Sequence, residues 1–243
     1  MKLLGLVGRN ISYSFSRGYF KEKFEKLHLE NDFSYRNFDI EQIELFPSII
    51  EENKKLVGCN VTIPYKQEII PYLDALDEVS KEIGAVNTIK VKDGKLFGFN
   101  TDAYGFENSI KPLIKNQKKA LILGTGGASK AVVFALNKMG ISHKFVSRNK
   151  SENNFIYEEI DQKIMEEFEI IINCTPIGTF PNIEEKPNLP YKYLTENHLL
   201  YDLVYNPEET AFLKEGKSKN SIIKNGHDML ILQAEKSWEI WNQ

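Results

Sequence analysis

Cysteine is nearly missing from this chain, with two in 243 residues, Cys59 and Cys174, far apart and each inside an apolar run. That scarcity excludes a disulfide framework and argues against a zinc site, so both are read as reduced cysteines without chemistry and no metal is expected. Long apolar runs are missing too. None comes near the ~20 residues that a membrane span requires. The opening MKLLGLVG carries one lysine and an apolar stretch too short for a signal-peptide core. A cytoplasmic location without a membrane partner is expected. An excess of either charge is also lacking: 31 Lys and Arg against 34 Asp and Glu leave a net charge of -3, no electrostatic footprint for nucleic acid. The expected partner is a small molecule.

What is present is the alternation of strand-like and helix-like segments that marks α/β layers, in a chain long enough for two small domains. LLGLV, FSYRNFDI, VGCNVTI and the pair AVNTIKV and KLFGFN read as strands, the last two joined at Asp93-Gly94. SFSRGYFKEKFEKLHL and IEQIELFPSIIEEN read as amphipathic helices. After the helix-like AYGFENSIKPLIKN, a second block begins at KKALILGTGG. Its runs EIIINCTP and LLYDLVYN barely alternate, the mark of strands buried on both faces. GHDMLILQAEKSWEIWNQ reads as a terminal helix with Met229, Leu230, Leu232, Ala234 and Trp238 on its apolar face.

In LILGTGGASKAVVFALNKMG a short apolar strand enters Gly124-Thr125-Gly126-Gly127 and a helix leaves it. Gly124 and Gly126 let the backbone turn sharply and approach a pyrophosphate, which the helix start favours electrostatically. Ser129 stands where a third glycine would complete the usual fingerprint, and the alternative is a turn that merely packs helix against sheet. An acidic residue about 20 positions on would select NAD. Here that strand end reads KFVSRN, with Ser147, Arg148 and Asn149. An arginine pairs with a 2′-phosphate where a carboxylate would repel it, so NADP is favoured, unless Arg148 is a solvated loop residue.

Polar clusters recur at strand ends of the first block: Ser14 and Ser16, Asn60 to Lys66, Asn87-Thr88, and Asn100-Thr101-Asp102. In an α/β sheet such ends gather at the ligand-binding edge. Hydroxyls, amides, one ammonium and one carboxylate there suit a polyhydroxylated anion. Each cluster also has a bland reading: the serines as helix caps, the asparagines as turn residues, Asp102 as an N-cap.

Taken together, GRNISYSFS, GCNVTIPYK, GAVNTI, FNTDAYG, GTGGASK, SRN and GHDMLILQA resemble the motifs of the shikimate dehydrogenase family, in order and nearly end to end. The resemblance implies an α/β fold of two domains. Residues 1–101 with 225–243 would form the substrate domain, completed by the C-terminal helix, and residues 102–224 a Rossmann-like NADP-binding domain. It implies that Ser14 and Ser16 hold the carboxylate of shikimate while Thr62, Lys66, Asn87, Asp102 and Gln233 face its ring hydroxyls, with Tyr205 approaching from the cofactor side. NADP(H) would lie against Gly124, Thr125, Gly126, Gly127, Ala128, Ser147, Arg148, Asn149, Thr175 and Gly226. The implied reaction is reversible reduction of 3-dehydroshikimate to shikimate with NADPH, toward chorismate and the aromatic amino acids, by a monomer or homodimer.

Hydride transfer to a ketone puts negative charge on its oxygen, which a proton donor must neutralise. No histidine lies in the first-block motifs, so Lys66 is the expected donor, with Asp102 orienting it. A fixed ammonium that only stabilises charge is the alternative. The other readings are a quinate/shikimate dehydrogenase that also uses NAD, and a non-catalytic nucleotide-binding protein. The sequence departs from the family at Tyr13 and Arg17, where histidine and proline are usual. It departs again between Arg148 and Phe155, a stretch too short for the usual crossover helix, so FIYEEI is expected as an edge strand or a loop.

Overall fold

The structure is a computed structural model that describes every residue except Tyr13 and Asn153. The departure at Tyr13 therefore lies outside the described residues. The chain divides into two units, Met1–Thr101 with Ala234–Gln243, and Asp102–Gln233.

In the first unit the chain runs β1 (Lys2–Gly8), α1 (Phe15–Leu27), β2 (Phe33–Asp39), α2 (Phe46–Glu52), β3 (Leu56–Val61), β4 (Ala75–Leu76), α3 (Glu78–Ile83), β5 (Thr88–Lys92) and β6 (Lys95–Phe99). The sheet order is β2-β1-β3-β5-β6-β4, with β1 parallel to β2 and β3, and β5 antiparallel to β3 and β6. Strand alternation sends Leu3 and Val7 into one core with Phe46, Val61 and Ile89, and Leu4 into another with Phe20, Phe24, Ala234 and Trp241. The long helix expected from Ile40 to Asn53 is divided: a 3-10 turn covers Ile43–Leu45, and α2 follows with Pro47 in its first turn, where the missing N–H is tolerated. Arg17 is exposed within α1, which begins two residues before it.

The second unit continues α4 (Asp102–Ile110), β7 (Lys119–Leu123), α5 (Gly127–Lys138), β8 (Ser142–Ser147), β9 (Asn154–Ile156), α6 (Gln162–Glu167), β10 (Ile170–Asn173), β11 (Leu199–Asp202), α7 (Ala211–Ser218), β12 (Ile222–Lys224) and α8 (His227–Asn242). Its six strands are all parallel, in the order β12-β11-β10-β7-β8-β9. Numbered from its own first strand this is 6-5-4-1-2-3, the Rossmann order read from the other edge. Ala120, Ile122, Ile170, Ile172, Leu199 and Tyr201 face one core, and Leu121, Leu123, Ile171 and Leu200 the other, which is why these runs do not alternate. The division between the units falls inside α8, between Gln233 and Ala234.

FIYEEI supplies the edge strand β9, parallel to β8 although only positions 148–153 join them. Asn154, Phe155 and Ile156 pair with Phe145, Val146 and Ser147, the last three residues of β8. The chain thus drops back by only about 7 Å before pairing, and no crossover helix is needed. A full-length return strand would have needed a dozen residues or more.

Candidate active site

In the first unit the NVTxPxK segment is fixed from beneath. Thr62 N–H donates to Val7 O at 2.9 Å, Tyr65 N–H to Thr62 O at 2.9 Å, and Val86 N–H to Lys66 O at 2.7 Å. Tyr65 is buried, its phenol donating to Ile40 O at 2.7 Å. Buried tyrosine on one side and backbone pairing on the other therefore set the position of Lys66, whose side chain is half-buried, as is Thr62.

The asparagines and threonines of the motifs bind one another. Asn60 Nδ2 donates to Ser237 Oγ at 2.9 Å and Thr88 Oγ1 at 3.1 Å, while its Oδ1 accepts from the Tyr35 phenol at 2.9 Å. Thr88 and Ser237 hydroxyls are 2.8 Å apart. Asn87 Oδ1 accepts from Thr101 N–H at 2.7 Å, and Asn87 Nδ2 donates to Thr101 Oγ1 at 3.0 Å. All five of Asn60, Asn87, Thr88, Thr101 and Ser237 are at most 6% exposed. Such groups are costly to bury unless paired, and here the pairing ties β3, β5 and the end of β6 to the terminal helix. Ser16, half-buried in α1, lies beside the Tyr35 phenol. Ser14 occupies the N-cap of α1, yet its hydroxyl makes no cap bond among the described residues, so capping does not account for it.

Sequence reasoning missed Ser237 and Tyr35. Ser237 falls on the buried stripe Ala234, Ser237, Trp241, where a polar residue at helical spacing signals a partner within the core. Trp241 also explains Gly58: a Cβ there would sit 2.3 Å from the indole, which donates to Ile89 O at 2.9 Å.

In the second unit Asp102 opens α4 and is 6% exposed. One turn on, a Cβ at Gly105 would lie 2.5 Å from Met229 O and 3.2 Å from Gln233 Cβ, so glycine lets α4 and α8 cross closely beside Gln233. Gly226, just before α8, is packed so tightly that a Cβ would lie 2.2 Å from Leu203 O. Half-buried Tyr205 follows two residues later in that strand exit.

The glycine loop leaves β7 at the switch point between β7 and β10. Gly124 has φ +90°, and a Cβ there would meet Thr175 Cγ2 at 2.7 Å. Ser129, in place of a third glycine, is buried and closes the loop by donating its hydroxyl to Gly126 O at 2.7 Å. Around Gly126 and Gly127 the space that a Cβ would enter is open, and α5 starts there with no side-chain cap among the described residues. A backbone cradle at a helix start, open to one side and with no competing side chain, fits a pyrophosphate.

Beneath this loop Asn173, Thr175, Asp202 and Thr210 form a second polar knot. Asp202 accepts from Asn173 Nδ2 and Val204 N–H, both at 3.0 Å, and from Thr210 Oγ1 at 2.6 Å. Asn173 Oδ1 accepts from Thr175 Oγ1 at 2.6 Å. Burial pushes the Asp202 carboxyl up to about 6, against the pull of those hydrogen bonds. Burial likewise pushes the Cys59 thiol up to about 12, keeping it protonated.

After β8, exposed Arg148 lines a surface depression of about 370 Å³ together with Thr125, Ser147, Asn149, Lys150 and Asn154. That places the SRN turn beside the glycine loop. Lys150 pairs with Glu159 at 2.6 Å, whereas Arg148 has no carboxylate partner among the described residues. An arginine without a carboxylate in such a hollow fits a phosphate. Among the described residues no helix is long and apolar enough to cross a membrane, and no group of His, Cys, Asp and Glu could hold a metal ion.

Comparison with known proteins places these features in context. The family model described as "Shikimate dehydrogenase substrate binding domain" matches residues 6–89. A shikimate dehydrogenase (NADP(+)) of Clostridium beijerinckii is 38% identical over 254 residues, covering 100% of this chain and 93% of that protein. The crystal structure of shikimate 5-dehydrogenase from Thermus thermophilus in complex with NADP(H) and shikimate has a TM-score of 0.86 at 31% identity, covering 99% of this chain and 93% of that one. Quinate dehydrogenase from Corynebacterium glutamicum in complex with NAD shares the fold, with a TM-score of 0.88 at 24% identity and coverage of 99% and 93%.

Proposed function

The chain belongs to the shikimate dehydrogenase family, and from that premise we propose that it reversibly reduces 3-dehydroshikimate to shikimate with NADPH, in the route to chorismate and the aromatic amino acids. The observation that carries the cofactor choice is the exposed Arg148, which among the described residues has no carboxylate partner, in the hollow beside the Gly124 loop. A 2′-phosphate suits that arrangement and a bare ribose does not require it.

Residues 1–101 with 225–243 would serve as the substrate domain and 102–224 as the cofactor domain. Ser14 and Ser16 would hold the substrate carboxylate, Ser14 with a hydroxyl that does not cap its helix. Thr62, Lys66, Asn87, Asp102 and Gln233 would take the ring hydroxyls, Asn87 combining this with its bond to Thr101. Tyr205 would close the substrate from the cofactor side. Gly124, Thr125, Gly126, Gly127 and Ala128 would cradle the pyrophosphate, with Thr175 and Gly226 shaping the nicotinamide side and Ser147, Arg148 and Asn149 taking the adenosine phosphate.

Bound NADPH supplies the hydride that reduces the keto carbon. Lys66 would give its proton to the carbonyl oxygen as charge develops there, and Asp102 would orient the ammonium. The same lysine fixed as a charge would lower the barrier without moving a proton. The protein would act in the cytoplasm as a monomer or homodimer, with no membrane or nucleic-acid partner.

The test follows the absorbance of reduced nicotinamide with purified protein and shikimate plus NADP, then NAD, then quinate. Turnover is expected with shikimate and NADP. Equal rates with NAD would favour the broader quinate/shikimate activity, and no signal with any pair would reduce the protein to a nucleotide-binding one.

A further inference from the structure

We propose that Asn154 is the positioning residue of the 2′-phosphate turn, doing in this chain what a crossover helix would otherwise do. The inference rests on the NADP reading and deepens it. In a parallel unit of full length, the helix after the second strand packs against the loop that leaves that strand. Here the connection is positions 148–153, and the next element is the three-residue strand β9. The turn that carries Arg148 therefore needs another support.

Asn154, the first residue of β9, provides it from below. Its Oδ1 accepts from Ser151 N–H at 2.5 Å and from Ser151 Oγ at 2.9 Å. Its Nδ2 donates to Asn149 O at 2.7 Å and to Ser147 Oγ, and Ser147 Oγ in turn donates to Asn149 O at 2.7 Å. An asparagine side chain has two donor hydrogens and an oxygen with two lone pairs, and all four are used on one turn. The residue is 8% exposed, so these bonds form largely out of water, where they hold geometry better than surface bonds do. Backbone pairing of Asn154 with Phe145 anchors the amide to the sheet itself.

The consequence falls on Arg148, which makes none of these bonds but sits between two residues that do. Ser147 and Asn149 are clamped on either side, so the arginine is presented from a fixed backbone over the hollow that it lines. Glu159 meanwhile holds Lys150 by both oxygens, at 2.7 and 2.6 Å. The neighbouring carboxylate is thus committed to Lys150 rather than to Arg148. Preorganisation of this kind shows as selectivity for the charged group, because an unclamped arginine must lose more freedom to bind it.

Calorimetric binding of 2′,5′-ADP and of 5′-AMP, which differ by the 2′-phosphate, tests this without turnover. In the wild type 2′,5′-ADP is expected to bind at least about tenfold more tightly. Asn154→Ala should remove most of that ratio while 5′-AMP affinity stays within about twofold, and in Arg148→Ala it should add little further loss, as coupled residues do. Ser151→Ala, which removes a single bond to Asn154, should lower the ratio by less, and it carries the test should Asn154→Ala lower the unfolding midpoint. Equal loss for both nucleotides, or losses that add in the double variant, would overturn the positioning role. A wild type that does not distinguish the two nucleotides would overturn the NADP reading itself.

Discussion

Replacing Asp202 with asparagine is expected to stabilise the protein at neutral pH and to flatten its pH dependence. Asp202 is fully buried at the end of β11, and burial raises its carboxyl from 3.8 to about 6 despite hydrogen bonds from Thr210, Val204 and Asn173. A raised acid holds its proton more tightly folded than unfolded. Its contribution to stability is therefore complete below 3.8 and is lost as pH rises through about 6. A gap of about two pKa units corresponds to about 3 kcal/mol. Asparagine never ionises, so that loss disappears. Its carbonyl can still accept from Asn173 and Val204, while its amide must donate to Thr210 Oγ1, which strands the hydroxyl hydrogen and one amide hydrogen at a combined cost of about 2 kcal/mol. The net expectation is about 1 kcal/mol of added stability above pH 7 and about 1.5 kcal/mol less at pH 4. Urea unfolding of both proteins by circular dichroism at intervals between those pH values measures the difference directly. A difference independent of pH, or one that turns against asparagine as pH rises, would refute the burial argument.

Lys66→Ala should lower turnover by about 10²- to 10⁴-fold while NADP still binds, and near wild-type turnover would remove Lys66 from the mechanism. Ser237→Ala should cost about 1–3 kcal/mol in urea unfolding, because it leaves Asn60 Nδ2 and two threonine hydroxyls short of a buried partner. Unchanged stability would mean the network is not what holds the terminal helix. Gly124→Ala forces a side chain into a left-handed backbone conformation and against Thr175, and calorimetry should show dinucleotide binding weakened by at least about tenfold. Adding Thr175→Ser to that variant should restore only part of the affinity, since the methyl contact is relieved and the backbone strain is not.

The strands of the second unit were legible because burial on both faces writes itself as an unbroken apolar run, as in Ile170–Asn173 and Leu199–Asp202. The glycine loop was legible because strand, φ-permissive turn and helix occur in one continuous stretch. What sequence reading could not supply was pairing across distance. Nothing near Ser237 names Asn60 as its partner, and nothing near Asn154 shows that its amide will be filled by residues three to seven positions earlier. The short link to β9 read as ambiguous because the rule for parallel crossovers assumes a full-length return, and a three-residue strand escapes it.

The motif residues also divide in a way their residue types do not announce. Amides and hydroxyls suited to a polyol are equally suited to one another, so a cluster such as Asn60, Thr62 and Lys66 does not say which members face a ligand. The end of the strand decides it: Asn60 lies within β3 and points into the knot with Ser237 and Thr88, while Thr62 and Lys66 lie past the end of β3 and stay half-buried. The knot fixes the backbone from which those two side chains project. An Asn60 substitution should accordingly act on substrate affinity only by way of stability and position. Asn60→Asp tests this, since it keeps the acceptor for Tyr35 but loses both donor hydrogens and buries a charge. It should lower the unfolding midpoint at neutral pH and recover it in part as the carboxyl protonates on acidification. A variant of full stability that had lost shikimate binding would instead put Asn60 in the pocket.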